Sequence, residues 1–435
     1  MERVLSYVVI MAMGGLASVL VNKGIAVFND GFRPIVPQYF EGKLTRAELA
    51  ATSFAISFGL VVGFGIPVSI GASIILIHSI LLSTDVIGTF FKDNLAGTIG
   101  AAVVGALYGA GLLFGLQFIV DIFAALPFNF LNQLGSVSSP VTAAFAIFPA
   151  VAIGMQHGFK KGTLTGIITV IVWFVVKRFG TFSIGTATVA LNAEGVSMLV
   201  GTIMMIVFAI QSKSDKSTSN QDLTNLFTVQ VSRIQKNWWI LGIMGGIVAV
   251  ATSLVIVAGD PVSLALLGEG EFTNAALAAF ARAIGFIPLV FTTAIVTGVY
   301  GVVGTTLVFP VGILLHGNPL LAFVAGAAVM VAEVFLIRLF AKALDSFPGV
   351  REMGEHIRTS MSRVLEIALL VGGIVAANSM VSGVGSLFVI GVYLLNKQSK
   401  KPIVDMAVGP VAAIAFGILI NLLVIIGLYV IPVAA

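Results

Sequence analysis

Residues 212–237 read SKSDKSTSNQDLTNLFTVQVSRIQKN, and this is the one segment of the chain that is clearly water-soluble. It carries Lys213, Lys216, Arg233 and Lys236, the mark of a cytoplasmic loop. Trp238 and Trp239 follow at once, as residues of an interfacial aromatic belt would. On either side lie parts of 211 and 198 residues, both rich in apolar stretches. Near-equal halves about a polar linker are what an internally repeated transporter shows. The expected organisation is an N-terminal membrane half (1–211), a cytoplasmic linker (212–237) and a C-terminal membrane half (238–435). At an offset of 221, Pro127 falls on Pro348 and Ser138-Ser139 on Thr359-Ser360, with an apolar stretch after each pair. Identities around them are few, so the repeat is suggested and not demonstrated.

Composition supports the same class. Of 435 residues, 58% are hydrophobic and 10% charged, and the mean hydropathy is +1.09. So little polar surface does not cover water-facing globules, which leaves an all-α polytopic membrane protein. Apolar stretches fall at 4–27, 49–82, 95–125, 138–157, 162–176, 183–211, 238–258, 274–305, 307–345, 361–396 and 407–432. Several exceed the ~20 residues that a crossing needs and carry Gly, Pro or polar residues near the middle. About 10 to 12 crossings with broken or re-entrant segments are expected. Met1-Glu2-Arg3 and the long run Val4–Val21 predict a retained first span, not a cleaved leader. The run 162–176 is short and has basic pairs at both ends: either it does not cross, or one pair faces out.

The net charge is +4, of which residues 1–211 supply +2, residues 212–237 supply +2 and the rest none. The excess thus bears on membrane orientation, not on nucleic-acid binding. With no cysteine there is no disulfide, thiolate metal site or cysteine nucleophile. GxxxxGK[ST], HExxH and GxSxG motifs are missing, and His78, His157, His316 and His356 stand singly. No enzyme chemistry, cofactor or metal is expected. The pairs Gly105/Gly109, Gly111/Gly115 and Gly242/Gly246 predict close helix contacts.

Four places carry candidate chemistry. In FNDGFRPIVPQYFE (28–41), Asp30 and Arg33 are spaced to pair, and Pro34 and Pro37 bias the backbone away from helix. The segment is either a solute or gating site using Asp30, Arg33 and Gln38, or an interfacial loop. In PFNFLNQLGSVSSP (127–140), Asn129, Asn132 and Gln133 interrupt an apolar region, and Ser138-Ser139-Pro140 resembles a helix start with Ser139 as N-cap. A helix starting within the membrane would aim its N–H groups at an anionic group; the alternative is a span start at the surface. In RAIGFIPLVFTTAIVTGVYGVVG (282–304), Arg282 sits in an apolar run, Pro288 breaks it, and Thr292, Thr293 and Thr297 offer hydroxyls. This is either half of a solute site or a kinked packing helix whose threonines bond their own carbonyls. Finally, Asp121, Glu194, Glu333 and Glu366 are lone carboxylates in apolar runs. Glu366 has Arg363 three residues earlier, whereas Glu333 has no partner at helical spacing and is the better candidate for ion coupling. The charged run 348–363 predicts an amphipathic surface helix or a gate arm.

The blocks AVFNDGFRPIVPQYFEG (26–42), SSPVTAAFAIFPAVAI (138–153), ARAIGFIPLVFTTAIVTGVYG (281–301) and AEVFLIRLFAKAL (332–344) resemble the YhfT family of bacterial inner-membrane proteins. The resemblance runs over nearly the whole chain. It implies a multi-pass protein of the bacterial cytoplasmic membrane with a transport role and no assigned substrate. A more distant likeness to the membrane subunits of ascorbate- and galactitol-type phosphotransferase systems implies a homodimer with repeated, elevator-like architecture.

The favoured expectation is a secondary-type transporter of a small polar, anionic organic solute, built from two related halves and paired with a second copy. The solute would lie between the 127–140 break and the 282–298 segment. Asp30, Arg33, Gln38, Asn132, Ser138, Ser139, Arg282, Thr292 and Thr293 are the candidate binding residues, and Glu333 and Glu366 the ion-coupling ones. The alternatives are a phosphotransferase-type permease with a soluble cytoplasmic partner docked at 212–237, and a non-transporting scaffold or channel.

Overall fold

The computed structural model describes residues 2–30, 32–184, 187–191, 193–212, 229–346, 348–400, 402 and 405–431. Most of 212–237 therefore lies outside the described residues. Helices dominate: α1 (Glu2–Asn22), a 3-10 turn (Arg33–Ile35) leading into α2 (Val36–Phe40), and α3 (Arg46–Leu60). A π-turn (Val61–Gly65) joins α3 to α4 (Ile66–Ala72), followed by β1 (Ile75–Leu76) and α5 (Ile77–Phe90). Then come α6 (Leu95–Ala125), α7 (Leu131–Gly135), α8 (Ser138–His157) and α9 (Phe159–Phe179). A hairpin of β2 (Thr181–Ile184) and β3 (Ala187–Ala190) precedes α10 (Ala193–Gln211). Beyond the linker are α11 (Val229–Gln235), α12 (Trp238–Ser253), β4 (Val257–Ala258), α13 (Pro261–Gly268) and α14 (Phe272–Thr297). The chain ends with α15 (Val308–Leu314), α16 (Pro319–Ser346), α17 (Pro348–Met380), α18 (Val384–Gln398) and α19 (Asp405–Ile425).

Seven of the described helices are long and apolar enough to cross a membrane, and up to nine if each bent pair counts as one span. The bent pairs are Val229–Gln235 with Trp238–Ser253, at 58°, and Phe272–Ile287 with Leu289–Ile295, at 44°. The second bend falls at Pro288, whose ring nitrogen has no hydrogen to give to the preceding turn. The expected 10 to 12 crossings exceed this number because several apolar stretches are not single helices. The stretch 49–82 divides into α3, the π-turn, α4, β1 and α5. The stretch 183–211 begins in the β-hairpin, so only Ala193–Gln211 is a candidate span. The run 162–176 instead widens to the 21-residue helix Phe159–Phe179, taking in both basic pairs. Lys161 leans over Phe208 and Lys177 over Trp173, as long cationic side chains at membrane-helix ends do. The charged run 348–363 is continuous with the span after it; Met353 and Ile357 are buried while Glu352 and Arg363 are exposed.

Outward faces are apolar. On α6, Ile99, Val103, Leu107, Phe114, Phe118 and Ile122 form an exposed stripe at helical spacing, which suits lipid and not water. The opposite face of α6 meets α1 through glycine. A Cβ on Gly105 would overlap the Gly14 carbonyl oxygen and Ser18 Oγ, and one on Gly109 would lie 2.6 Å from Ile10 O. Gly242 and Gly246 serve α12 in the same way against Val331 and Phe323 of α16. Gly111 and Gly115, predicted to do likewise, have nothing within 4 Å. Gly105→Ala is therefore expected to destabilise the protein by about 1–3 kcal/mol, while Gly111→Ala should stay within about 0.5 kcal/mol of the parent. Denaturant unfolding in detergent checks both, and equal effects would refute this account of the α1–α6 contact.

Four helices end alike inside the fold. After α1 and α14 the chain turns through Gly24 (φ +60°) and Gly298 (φ +66°). After α4 and α12 it turns through Ser73 (φ +57°) and Val255 (φ +55°), left-handed conformations that L side chains rarely adopt. Each turn leads into a short extended segment. Ala26 pairs with Tyr300, and β1 pairs in parallel with β4, Ile75 opposite Val257 and Leu76 opposite Ala258. These pairings satisfy backbone groups that a broken helix would otherwise leave without partners in an apolar interior.

Candidate functional site

The site grows from the segment after α1. Val27 N–H donates to Tyr300 O at 2.9 Å, and Tyr300 N–H donates to Ile25 O at 3.0 Å. The next two N–H groups, of Phe28 and Asn29, both donate to the Asp85 carboxylate, at 3.0 and 2.8 Å. Asp85 is fully buried on α5. The Asn29 amide donates to Ser57 Oγ of α3 at 3.1 Å. The chain then turns back, with Phe32 and Arg33 N–H groups on Asn29 O, and drives the Arg33 side chain inward.

The seating of α5 comes from polar groups at its C-terminal end. Asn22 Nδ2 donates to Gly88 O, Phe91 O and Lys92 O at 3.0–3.1 Å. Arg46 donates to Phe91 O and Gly88 O at 2.9 and 2.7 Å. Arg46 is itself placed by a capping box at the start of α3, in which Thr45 N–H donates to Glu48 Oε2 at 2.8 Å and Glu48 N–H donates back to Thr45 Oγ1 at 3.3 Å. The hydrogen bonds from Thr45 hold the Glu48 carboxyl below its ordinary pKa.

Arg33 is 1% exposed. Its guanidinium pairs with Asp30 at 2.7 Å and donates to Val27 O and Val290 O at 3.3 and 3.5 Å. A Cβ on Gly301 would stand 3.3 Å from Arg33 Nη2, so glycine suits this close approach. The Asp30–Arg33 pair expected from spacing is present, and it leaves Arg33 neutralised and held.

Beside this pair lies a cavity of about 140 Å³. Segment 28–33 forms one wall, α14 from Arg282 to Val290 another, and residues 301–306 a third. His78, delivered by β1 to the first turn of α5, enters between Phe28 and Phe64, edge to face with both at 5.1 and 4.9 Å. Arg282 is 5% exposed and lines the cavity. Its guanidinium lies over the Phe286 ring at 4.6 Å, and Nε is buried with no hydrogen-bond partner. Among the described residues no hydrogen bond or ion pair reaches it. Asp260 and Asp30 both act on it electrostatically, but Asp30 is paired with Arg33, and the Asp260 carboxylate is occupied as the N-cap of α13, accepting from Val262 and Ser263 N–H at 2.9 Å and from Ser263 Oγ at 2.6 Å. Thr306 Oγ1 and His78 Nδ1 are also buried without partners.

Glu333, on α16, stands behind the third wall. Its Oε2 accepts from Thr305 N–H at 2.7 Å and from the Tyr300 hydroxyl at 3.1 Å, while Oε1 has no partner. A Cβ on Gly304 would overlap that Oε2, and Gly304 itself has φ +63°. Glu366 is half-buried on α17, and among the described residues no ion pair joins it to Arg363.

The remaining predicted residues scatter. Gln38 is exposed on α2, away from the cavity. Thr293 donates to Leu289 O at 2.7 Å and Thr297 to Thr293 O at 2.7 Å, the packing alternative raised for both. The side chains of Asn132, Ser138, Ser139 and Thr292 lie outside the described residues. The helix start at 138–140 differs from the expectation: α8 begins at Ser138, and Val137 is its N-cap, in helical conformation and without a side-chain cap. The short α7 ends only two residues earlier, which leaves no extended residue for Ser139 to cap from. Among the described residues none from 127–140 lines the cavity. The 282–298 segment meets 28–33 there.

Sequence reading passed over Asp85 and His78 as site residues. Asp85 stands in LLSTDVIGTFF (81–91), a lone carboxylate in an apolar run no different from those that were singled out. His78 carried no signal beyond its apolar neighbours.

A buried, arginine-bearing cavity among broken helices, inside a shell of apolar spans, defines a helical multi-pass membrane protein. The chain belongs to the YhfT family, whose model, described as a protein of unknown function, matches residues 6–429. It is 35% identical to the uncharacterized protein YhfT of Escherichia coli (strain K12), over 99% of this chain and 100% of that protein. No solved structure matches the chain.

Proposed function

We propose that this protein is a secondary-type transporter of a small polar, anionic organic solute, bound in the cavity beside Arg282 in the bacterial inner membrane. One observation carries the reading: a guanidinium buried in a membrane-spanning bundle, facing a cavity, with no ion pair among the described residues. Burying a charge without a partner costs several kcal/mol, and ionisable groups within membrane segments mark solute and ion pathways. Arg33 is the internal contrast, since it is more deeply buried yet forms an ion pair with Asp30 and donates to two carbonyls.

Two related halves and alternating access are supported by the four helix breaks. They fall in the order α1, α4 before the linker and α12, α14 after it. The extended segment after α1 pairs with that after α14, and the one after α4 with that after α12. Crosswise pairing of this kind is what a two-fold relation between halves produces, and broken helices at such a crossing are where repeated transporters bind solute. In an elevator-like cycle the unit carrying the cavity moves against a scaffold held by a second copy. Glu333, tied to the cavity's third wall, is the coupling residue.

A thermal-shift screen of detergent-purified protein against sugars, sugar acids, amino acids and their phosphates tests this. A ligand of the native state raises Tm by mass action. An anionic hit is expected, and Arg282→Gln is expected to abolish the shift while the variant stays monodisperse. A hit untouched by Arg282→Gln moves the site, and no anionic hit in the whole set overturns the reading.

A further inference from the structure

Resting on the transporter reading, we infer that the cavity is built for a monocarboxylate with an apolar body, and not for a phosphate, a di- or tricarboxylate or a sugar acid rich in hydroxyls. Charge gives the first half of the inference. Two arginines line the cavity, but Arg33 is already neutralised by Asp30 at 2.7 Å. Arg282, unlike Arg33, makes no ion pair among the described residues, so a single carboxylate on the solute would complete its contacts. A second or third charge would be desolvated without a counterion, beside the Asp30 carboxylate, and that is strongly unfavourable in an apolar interior. The flat guanidinium fork matches a carboxylate with two parallel hydrogen bonds.

The walls give the second half. Around Arg282 the cavity surface is made by the side chains of Leu60, Phe64, Leu82, Phe286, Leu289 and Val303. Among the lining residues, Thr306 Oγ1, His78 Nδ1, Asp30 Oδ1 and Arg33 Nε are buried polar atoms without a hydrogen-bond partner; the last two belong to the ion pair, which leaves the first two for one or two further hydrogen bonds. A polyhydroxylated solute would leave most of its hydroxyls unpaired against these walls, at a cost for each. A branched or aromatic body would bury apolar surface there instead. Aromatic faces edge the space at Phe64 and Phe286, so a ring or a branched chain fits the lining better than a linear one.

The test uses the full-length protein in lipid nanodiscs and titration calorimetry with six probes. Benzoate and 4-methyl-2-oxopentanoate are expected to bind at least about tenfold tighter than acetate, because the apolar body adds buried area. Citrate, inorganic phosphate and neutral benzyl alcohol are expected not to bind measurably. Arg282→Gln should remove benzoate binding, and Arg282→Lys, which keeps the charge but loses the fork, should weaken it while preserving it. Retention of the parental Tm in both variants separates loss of the site from loss of the fold. Arg282-dependent binding of citrate or phosphate in preference to benzoate overturns this inference and leaves the transporter reading standing. Arg282-dependent benzoate binding without benzoate counterflow in proteoliposomes upholds the inference and overturns the transporter reading. Absence of any Arg282-dependent binding among the six overturns this inference, and the broader screen then decides the transporter reading.

Discussion

Asp85→Ala is expected to lower the stability of the protein by about 2–6 kcal/mol, because it leaves two inward N–H groups, of Phe28 and Asn29, without their acceptor. Each buried donor left unsatisfied costs about 1–3 kcal/mol. Both donors belong to the extended segment that leads from α1 into the cavity wall, so the loss does not stay local. Asp30 and Arg33 follow within four residues, and their ion pair is aimed by that segment. The variant should therefore lose ligand-induced stabilisation as well as Tm, although Asp85 does not line the cavity. Asp85→Asn keeps one carbonyl oxygen and should fall between parent and alanine variant in both measurements. Thermal unfolding in detergent, with and without ligand, reads the two effects. An alanine variant as stable as the parent would sink the role assigned to this carboxylate.

Asp85 also shows why the site was only half legible in the sequence. The membrane class follows from hydropathy alone, since a chain with 58% hydrophobic residues has nowhere else to put them. The Asp30–Arg33 pair and the burial of Arg282 were legible for local reasons: a three-residue spacing in one case, a single cation in an apolar run in the other. What brings them together was not. Arg33 reaches Val290 across 257 residues, and that contact depends on Ala26 pairing with Tyr300. A one-residue bridge leaves no period in a sequence. The strands β1 and β4 are two residues each, inside runs of Ile, Leu and Val that suit a helix or a strand equally well. Two of the four left-handed turns fall on Ser73 and Val255, where no glycine announces them. The 127–140 region erred in the opposite direction. Its Ser-Ser-Pro resembles a helix cap, but α7 runs almost directly into α8, so its local chemistry misplaced the cap.

The same long-range wiring makes Glu333 the place to test coupling. Glu333→Gln is expected to leave the fold intact, because an amide oxygen in the position of Oε2 still accepts from Thr305 N–H and the Tyr300 hydroxyl. What glutamine lacks is an exchangeable carboxyl proton. In the parent, Oε1 is buried without a partner, leaving one oxygen open to a proton while the other keeps hold of residues 300–305. A proton there alters the charge directly behind Gly304 and Thr306, two residues of the cavity wall. If this carboxyl carries the coupling proton, Glu333→Gln in proteoliposomes should lose at least about tenfold of its pH-gradient-driven accumulation, a change of 1.4 kcal/mol or more in the driving force it can use. Solute counterflow, which needs binding and movement but no net proton transfer, should persist. Loss of both activities would mean that Glu333 holds the 300–305 wall in shape and does no more. Accumulation unchanged from the parent would transfer the coupling role to Glu366, which is half-buried on α17 and without an ion pair to Arg363.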